Sequence, residues 1–448
     1  MSARIKLALV AVVVATFLLG FYSLQYVRTA AQAYVYGYPL VLMDKTRVAM
    51  AHNSAPNGFS HAQVFPDHNF RKVIRPNNDT LYSIAWLDLS DEPVILSVPD
   101  TEDRYYVMPL MDAWTNVFAR IGKGTTGTGA GDYLLAGPQW SGDAPDGMEI
   151  IRAPTAMVWV LGRIQTNGRE DMAAVAQLQQ QFQLTQLSKW ASGEAIVATM
   201  QTSADRDKSS DPYLEITQMS GVEFFAKLAA LMGGQLPAEA DGPMLETLAG
   251  LGLVPGEAFS AGPVKRYLLD FAKARTHEAI LRELARNSEL ENGWGVRREL
   301  IGSYGTYYGV RAGVAMIGLG ALPPEEAVYP NARVDANGET LNGSNRYRIH
   351  FPAGKTPPSG AFWSVTMYDH EGFLVDNPIG RYAIGDRDPL QFNPDGSLDL
   401  LIQHEKPAAM ESNWLPAPMG TFALTMRIYL PGKDFLDASW KLPPIEPQ

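Results

Sequence analysis

The sequence contains no cysteine among its 448 residues. Disulfide staples, thiolate nucleophiles and cysteine-ligated metals are therefore excluded together, and such a chain fits either side of a membrane. Positive charge is the second shortage: 37 Lys and Arg against 48 Asp and Glu leave a net charge of −11. Phosphate backbones are bound by clustered cations, so nucleic acid is not an expected partner. Charged residues make up 19% and hydrophobic residues 46%, the balance of a globular chain and not of a disordered one.

Familiar catalytic signatures are also missing. There is no H-E-x-x-H and no G-x-S-x-G elbow. Gly122–Gly127 spells G-x-G-x-x-G, but a strand-like, glycine-rich sequel replaces the helix that would face a pyrophosphate, so a hairpin loop is expected. Gly354-Lys355-Thr356 lacks the leading glycine of a phosphate loop, and Pro357-Pro358 forbids the helix. His52, His61 and His68 share one loop-like stretch without a helix-fixed pair. Surface or hydrogen-bonding histidines explain them better than zinc does. No metal and no cofactor is expected.

What is present begins with an uncharged run from Leu7 to Val27, between Lys6 and Arg28. A span needs about 20 apolar residues, so residues 7–27 are expected to be the membrane contact. Residues 1–28 thus read as a membrane anchor or signal segment. Cleavage at Ala31-Gln32-Ala33 is the rival, but the run exceeds a signal h-region and AAQAYVYGYPLVLM starts a helix. Arg4 and Lys6 ahead of the run keep the amino terminus inside. The expected location is the inner membrane, with the bulk of the chain on the periplasmic or extracytoplasmic side.

Beyond the anchor the pattern changes three times. Residues 29–165 carry a leading helix and short runs such as LYSIAWLDL, PVILSVP and AMVWVLGRI, separated by Gly, Pro, Asp and Asn. Such runs read as an antiparallel sandwich or barrel. Residues 166–325 turn helical; Gly302, Gly305, Gly309 and Gly313 fall on one expected helical stripe, with Tyr304, Tyr307 and Arg311 beside it. Residues 326–448 return to strands, as in YRIHF, AFWSVTMYD and TFALTMRIYL. The fold class is α+β. RYYVMPLMDAWTNVF and AFWSVTMYDHEGFLV each close an apolar strand on Asp before a short turn, a hint of two similar units.

Three polar clusters carry the site expectations. Arg75, Asn77, Asn78, Asp79 and Tyr82 crowd the mouth of a strand. As a plain turn, Arg75 would pair Asp79; as a site, the set would hold a polyhydroxylated or carboxylated ligand. Asp112, Trp114 and Asn116 form the second, and Trp363, Tyr368, Asp369 and Arg381 the third. Arg311 joins the ligand-binding candidates. Asp79, Asp112 and Asp369 are the catalytic candidates, since paired carboxylates beside aromatic rings suit glycan cleavage.

These residues resemble a known family. Tyr36-Gly37-Tyr38-Pro39-Leu40, RPNNDTLYSIAWLDLS, MDAWTN and IGKGTTG look like the domain of unknown function 1254. AFWSVTMYD, NPIGRYAIGD, DGSLDL and NWLPAP look like its companion, the domain of unknown function 1214. The resemblance implies two antiparallel, jelly-roll-like sandwich domains joined by a helical segment, in bacterial, often exported or anchored proteins that self-associate. It brings no reaction, so no catalytic residue transfers. Two functional expectations stand side by side. One is an extracytoplasmic hydrolase or lyase that uses carboxylate acid–base chemistry on a glycan or other polar small molecule. The other is a non-catalytic cell-envelope binding or assembly protein.

Overall fold

The computed structural model describes residues 3–50, 56–71, 73–192, 199–200, 211–286 and 289–448; His52 lies outside them. Helix α1 runs unbroken from Ala3 to Met50, with Pro39 inside it. A 48-residue helix is about 72 Å long. Its two ends meet different surroundings. Phe17, Leu18, Leu19, Phe21 and Leu24 are all more than 60% exposed, whereas Ala30, Ala33, Tyr34, Tyr36 and Tyr38 are fully buried. Cleavage after Ala33 would therefore cut α1 inside the core. Among the described residues no helix is long and apolar enough to cross a membrane. The side chains of residues 7–12 and 15 of the expected span lie outside the described set.

The next strands are β1 (Ser60–His61), β2 (Thr80–Asp88), β3 (Val94–Val98), β4 (Tyr106–Asp112), β5 (Val117–Gly122), β6 (Gly131–Ala136), β7 (Glu149–Arg152) and β8 (Met157–Gln165). Helix α2 (Met172–Gln179), β9 (Gln183–Gln186), α3 (Leu187–Ser192) and β10 (Thr199–Met200) complete this part. One sheet has the order β10-β1-β2-β8-β4-β5 and the other β7-β6-β3-β9. Strand β2 alternates, as a half-buried period of two requires. Leu81, Ala85 and Leu87 meet Leu96, Leu135 and Leu184 of the second sheet in one apolar cluster. Tyr82, Ile84 and Trp86 turn the other way, toward α1 and the helices. The glycine-rich loop after Gly122 joins β5 to β6, which belong to different sheets, so it is a crossover and not a hairpin.

The helical part holds α4 (Pro212–Gln218), α5 (Gly221–Gly234), α6 (Gly242–Ala249), α7 (Pro263–Arg286) and α8 (Tyr308–Gly318). A capping box between Ser220 and Glu223 starts α5. The expected glycine stripe does not form. Helix α8 starts only at Tyr308, and Gly302 and Gly305 sit before it at φ of 73° and 51°. Left-handed backbone there ends any helix, so Tyr304 and Tyr307 share no helical face with Arg311.

Strands β11 (Glu289–Glu291) and β12 (Trp294–Val296) lie within the stretch read as helical, yet they join the carboxy-terminal sheet. Then come β13 (Ala327–Val328), β14 (Asn331–Ala332), β15 (Tyr347–Phe351), β16 (Ser359–Asp369), β17 (Ala383–Gly385), β18 (Leu398–Gln403), β19 (Trp414–Pro416), β20 (Phe422–Pro431), α9 (Lys433–Leu436) and β21 (Ile445–Pro447). The order β11-β12-β14-β20-β16-β17, with β13 also on β20, faces β19-β18-β15-β21 across one core that contains Ile349, Trp363, Leu400 and Leu424. The fold is mixed α+β with several largely antiparallel sheets.

Gly37 marks a tight point of α1 against this body: a Cβ there would stand 2.3 Å from Leu228 Cδ2. Alanine is the better helix former by about 1 kcal/mol, but overpacking a core costs roughly 1–3 kcal/mol. Gly37→Ala should lower the unfolding free energy in a urea titration. A gain would show that the α1–α5 contact yields freely.

Candidate functional site

The RPNNDTLYS stretch faces the carboxy-terminal β-unit. Arg75 takes a left-handed φ of 54° and its N–H donates to Gly372 O at 2.6 Å. Asn77 closes an Asx turn by accepting from Asp79 N at 2.7 Å. Its Nδ2 reaches Thr80 Oγ1 at 3.0 Å, Tyr82 OH at 3.3 Å and Tyr429 OH at 2.9 Å. Asn78 donates to Pro66 O at 3.1 Å. Asp79 is fully buried, but its partner is not Arg75. It forms an ion pair with Arg387 and accepts from Ser364 Oγ at 2.7 Å. Arg387 also donates to the carbonyls of Asp79 and Thr166, each at 3.1 Å.

Beside this pair lies a group of buried cations. Arg427 donates to Thr366 Oγ1 and Tyr368 OH, both at 2.6 Å, and to Arg75 O at 3.2 Å. Tyr368 in turn donates to Pro76 O at 2.7 Å. Arg163 donates to Gly320 O at 2.7 Å and approaches Tyr82 OH at 3.4 Å, while its buried Nη1 has no hydrogen-bond partner. Among the described residues neither Arg163 nor Arg427 makes an ion pair with a carboxylate. Tyr82 answers to their field. Burial pushes its phenol up, but the charge of Arg163, hydrogen bonds from Arg163 and Asn77 and the charge of Arg427 outweigh that and hold it below the usual tyrosine value. Tyr105 and Tyr429 are driven well up, first by burial, and for Tyr105 next by Glu326. Tyr82 and Tyr329 keep partial exposure in this otherwise buried set. A polar groove of about 410 Å³, lined among others by Arg104, Lys123, Gln165 and Ala361, is separate from this cluster and shares none of its residues.

The second cluster brings Arg311, distant in sequence, to the local group of Asp112, Trp114 and Asn116. Asp112 ends β4 and accepts from Trp114 N at 2.9 Å, Asn116 N at 2.8 Å and Asn116 Nδ2 at 2.9 Å. The turn forces Thr115 to φ 72°, an outlier for a β-branched residue. Arg311 sits within 5.1–5.4 Å of the rings of Tyr36, Trp114 and Tyr308. Asp241 accepts from Tyr36 OH at 3.1 Å and Tyr308 OH at 2.8 Å.

The remaining candidates stand apart from both. Asp369 pairs with Arg71 at 2.9 Å and accepts from Glu371 N and Phe373 N at 3.0 and 2.9 Å, so it is spent on a turn. Arg381 donates to the carbonyls of Ser412 and Trp414 at 3.1 and 2.9 Å. Trp363 belongs to the carboxy-terminal core. Asp79, Asp112 and Asp369 thus belong to three separate hydrogen-bond networks. His61 is buried with Nδ1 at 2.9 Å from Ser83 Oγ, and burial pulls its pKa down to about 4. Among the described residues no group of acids and histidines has metal-site geometry.

Two family models match in the order the motifs implied: "Protein of unknown function (DUF1254)" over residues 56–186 and "Protein of unknown function (DUF1214)" over residues 326–433. The chain belongs to the family that joins these two domains. The crystal structure of the VPA0106 protein from Vibrio parahaemolyticus is similar, at 26% identity and a TM-score of 0.72 over 94% of this chain and 100% of that one. An uncharacterized protein from Burkholderia cenocepacia shows 14% identity and a TM-score of 0.44 over 97% of each chain. No curated protein matches the chain. Asp79, Tyr82 and Arg163 fall in the DUF1254 domain, and Ser364, Tyr368, Arg387, Arg427 and Tyr429 in the DUF1214 domain. The seam is made by the two domains together. Sequence reasoning passed over Arg163, Ser364, Arg387, Arg427, Tyr429, Tyr36, Tyr308 and Asp241. One signal was readable: VLGRIQ and TMRIYL each hold a lone arginine in an apolar strand.

Burial raises Asp112 to about 6 despite hydrogen bonds from Asn116 and the charge of Arg311. A raised carboxyl stabilises the fold below its unfolded pKa, near 3.9, and loses that contribution as pH rises through about 6. The difference of about 2 units corresponds to roughly 3 kcal/mol. Unfolding free energies measured from pH 4 to pH 7 should therefore decline through a component that Asp112→Asn removes. Identical pH profiles for the two proteins would contradict it.

Proposed function

We propose that this chain is a membrane-anchored extracytoplasmic enzyme of two jelly-roll-like sandwiches that eliminates across a bond in a carboxylated polar substrate. Uronic-acid glycans are the first class to consider. One observation carries the reading: the Tyr82 hydroxyl lies beside Arg163 in a seam where two buried guanidiniums lack carboxylate partners among the described residues. Uncompensated buried cations are costly, and an anionic substrate would relieve that cost. The exposed apolar side chains between Val13 and Leu24 support the anchor.

In this reaction Arg163 receives the substrate carboxylate on its unpartnered Nη1. Neutralising that charge acidifies the C–H next to it. Tyr82, ionised more readily than an ordinary tyrosine, takes the proton. The electron pair left on carbon forms a double bond and expels the oxygen on the neighbouring carbon, which recovers the proton from Tyr82. The three carboxylates first considered for acid–base work are left to structure. A second reading, a non-catalytic anion-binding envelope protein, is favoured by the fixed hydrogen bonds that hold Asn77, Asp79 and Tyr368.

Full-length protein incubated with polyuronates should release an unsaturated product detectable by ultraviolet absorbance. Tyr82→Phe should cut turnover by about 10²–10⁴-fold with little change in Tm. The wild-type rate should climb with pH toward a midpoint below that of free tyrosine. Saturable binding of polyuronate without turnover would favour the binding protein. Equal indifference to charged and neutral glycans would remove both readings.

A further inference from the structure

A groove of about 480 Å³ lies at the foot of the exposed part of α1, away from the DUF1254–DUF1214 seam. Its walls are Arg28, Ala31, Gln32 and Val35 of α1, Met244 of α6, and Thr306–Gly309 at the start of α8. That volume suits a small-molecule ligand. Apart from Arg28, Gln32, Thr306 and Gly309 the lining is aliphatic or aromatic. Tyr308 is shared with the aromatic cage, since it lines the groove while its ring centroid stands 5.1 Å from the Arg311 guanidinium.

Arg311 is the anomaly here. It is 2% exposed, and its Nε and Nη2 have no hydrogen-bond partner. Three rings surround it, and among the described residues it makes no ion pair. The nearby acids are already served: Asp241 by the hydroxyls of Tyr36 and Tyr308, Asp112 by the Trp114 and Asn116 amides. A planar guanidinium with two free N–H directions matches one carboxylate in a bidentate fork. Arg28 of α1 is exposed and lines the groove itself, whereas Arg311 lies one layer in, behind Tyr308. The apolar face of α1 runs from Phe17, Phe21 and Leu24 straight into the α1 wall at Arg28–Val35.

We infer that this groove binds a single-chain carboxylate amphiphile, a fatty acid, its chain against Ala31, Val35, Met244 and Tyr307 and its carboxylate met by Arg28 and, as the Tyr308 ring gives way, by Arg311 behind it. The site is independent of chemistry at Tyr82. The exposed apolar face that leads into it supplies the kind of surface along which such a chain partitions.

The test uses full-length protein in phosphatidylcholine nanodiscs and dodecanoate labelled with carbon-13 at the carboxyl. A protein-specific bound carboxyl resonance should appear, saturate, and persist in Tyr82→Phe. Arg311→Gln should weaken binding by at least about tenfold, consistent with loss of a charge-assisted bidentate pair. Because Arg311 is buried, Ala31→Trp provides a second variant that fills the partly exposed groove wall and leaves the cage alone; it should abolish the resonance with Tm unchanged. Dodecanol should fail to displace dodecanoate. Absence of a saturable resonance, equal competition by dodecanol, tighter binding of dodecyl phosphate, or full binding by Ala31→Trp would each overturn the assignment.

Discussion

The ion pair between Asp79 and Arg387 joins the two family domains at a point largely withdrawn from water. Asp79 is fully buried, and the Arg387 guanidinium stacks 4.2 Å from the Phe362 ring. Taking such a pair out of water is expensive, and the attraction alone seldom compensates. Here most of the remaining valences are filled: Ser364 donates to Asp79 and Arg387 reaches two backbone carbonyls, while Arg387 Nε alone stays without a hydrogen bond. Asp79 stands just before β2 and Arg387 just after β17; together with the Ser364 bond from β16 they register the two domains where Asn77 meets Tyr429 and Pro76 meets Tyr368. Remove the registration and there is no seam.

An acidic chain that places arginines inside has inverted the usual distribution of charge. Arg163, Arg311 and Arg427 are all at most 5% exposed. Each leans on a different substitute for a carboxylate. Arg427 has hydroxyls, Arg163 has a carbonyl just beyond the end of α8, and Arg311 has aromatic faces with the charge of Asp112 nearby but not hydrogen-bonded to it. The carbonyl end of a helix carries partial negative charge, so Arg163 is better placed than its lone hydrogen bond suggests. Aromatic faces attract a cation without occupying its N–H groups. That difference separates a structural arginine from one able to accept a ligand.

Much of this was legible in the chain. Strand periodicity and the α+β class could be read from local patterns, because alternation and turn chemistry are short-range facts; the two family domains came from the resemblance of runs such as RPNNDTLYS and FWSVTMYD. Asp112 and Asp369 were read as strand-closing residues, and both do close turns, each accepting from the amides two and four residues on. What escaped was long-range pairing. Arg75 stood four residues from Asp79, yet the partner is 308 residues away. Density of polar residues therefore located the seam without naming its chemistry. The glycine stripe misled because a spacing of three and four residues fits both a helix and a series of left-handed turns; only φ distinguishes them.

Helix α1 has one further consequence. The same rod that shows Phe17, Phe21 and Leu24 to the outside carries Tyr34, Tyr36 and Tyr38 into the heart of the helical layer. No loop intervenes to absorb motion between these parts. Whatever holds the exposed end acts on the body as on a lever: a tilt there becomes a rotation of the whole molecule, and the heading of its two domains is set by the axis of a single helix.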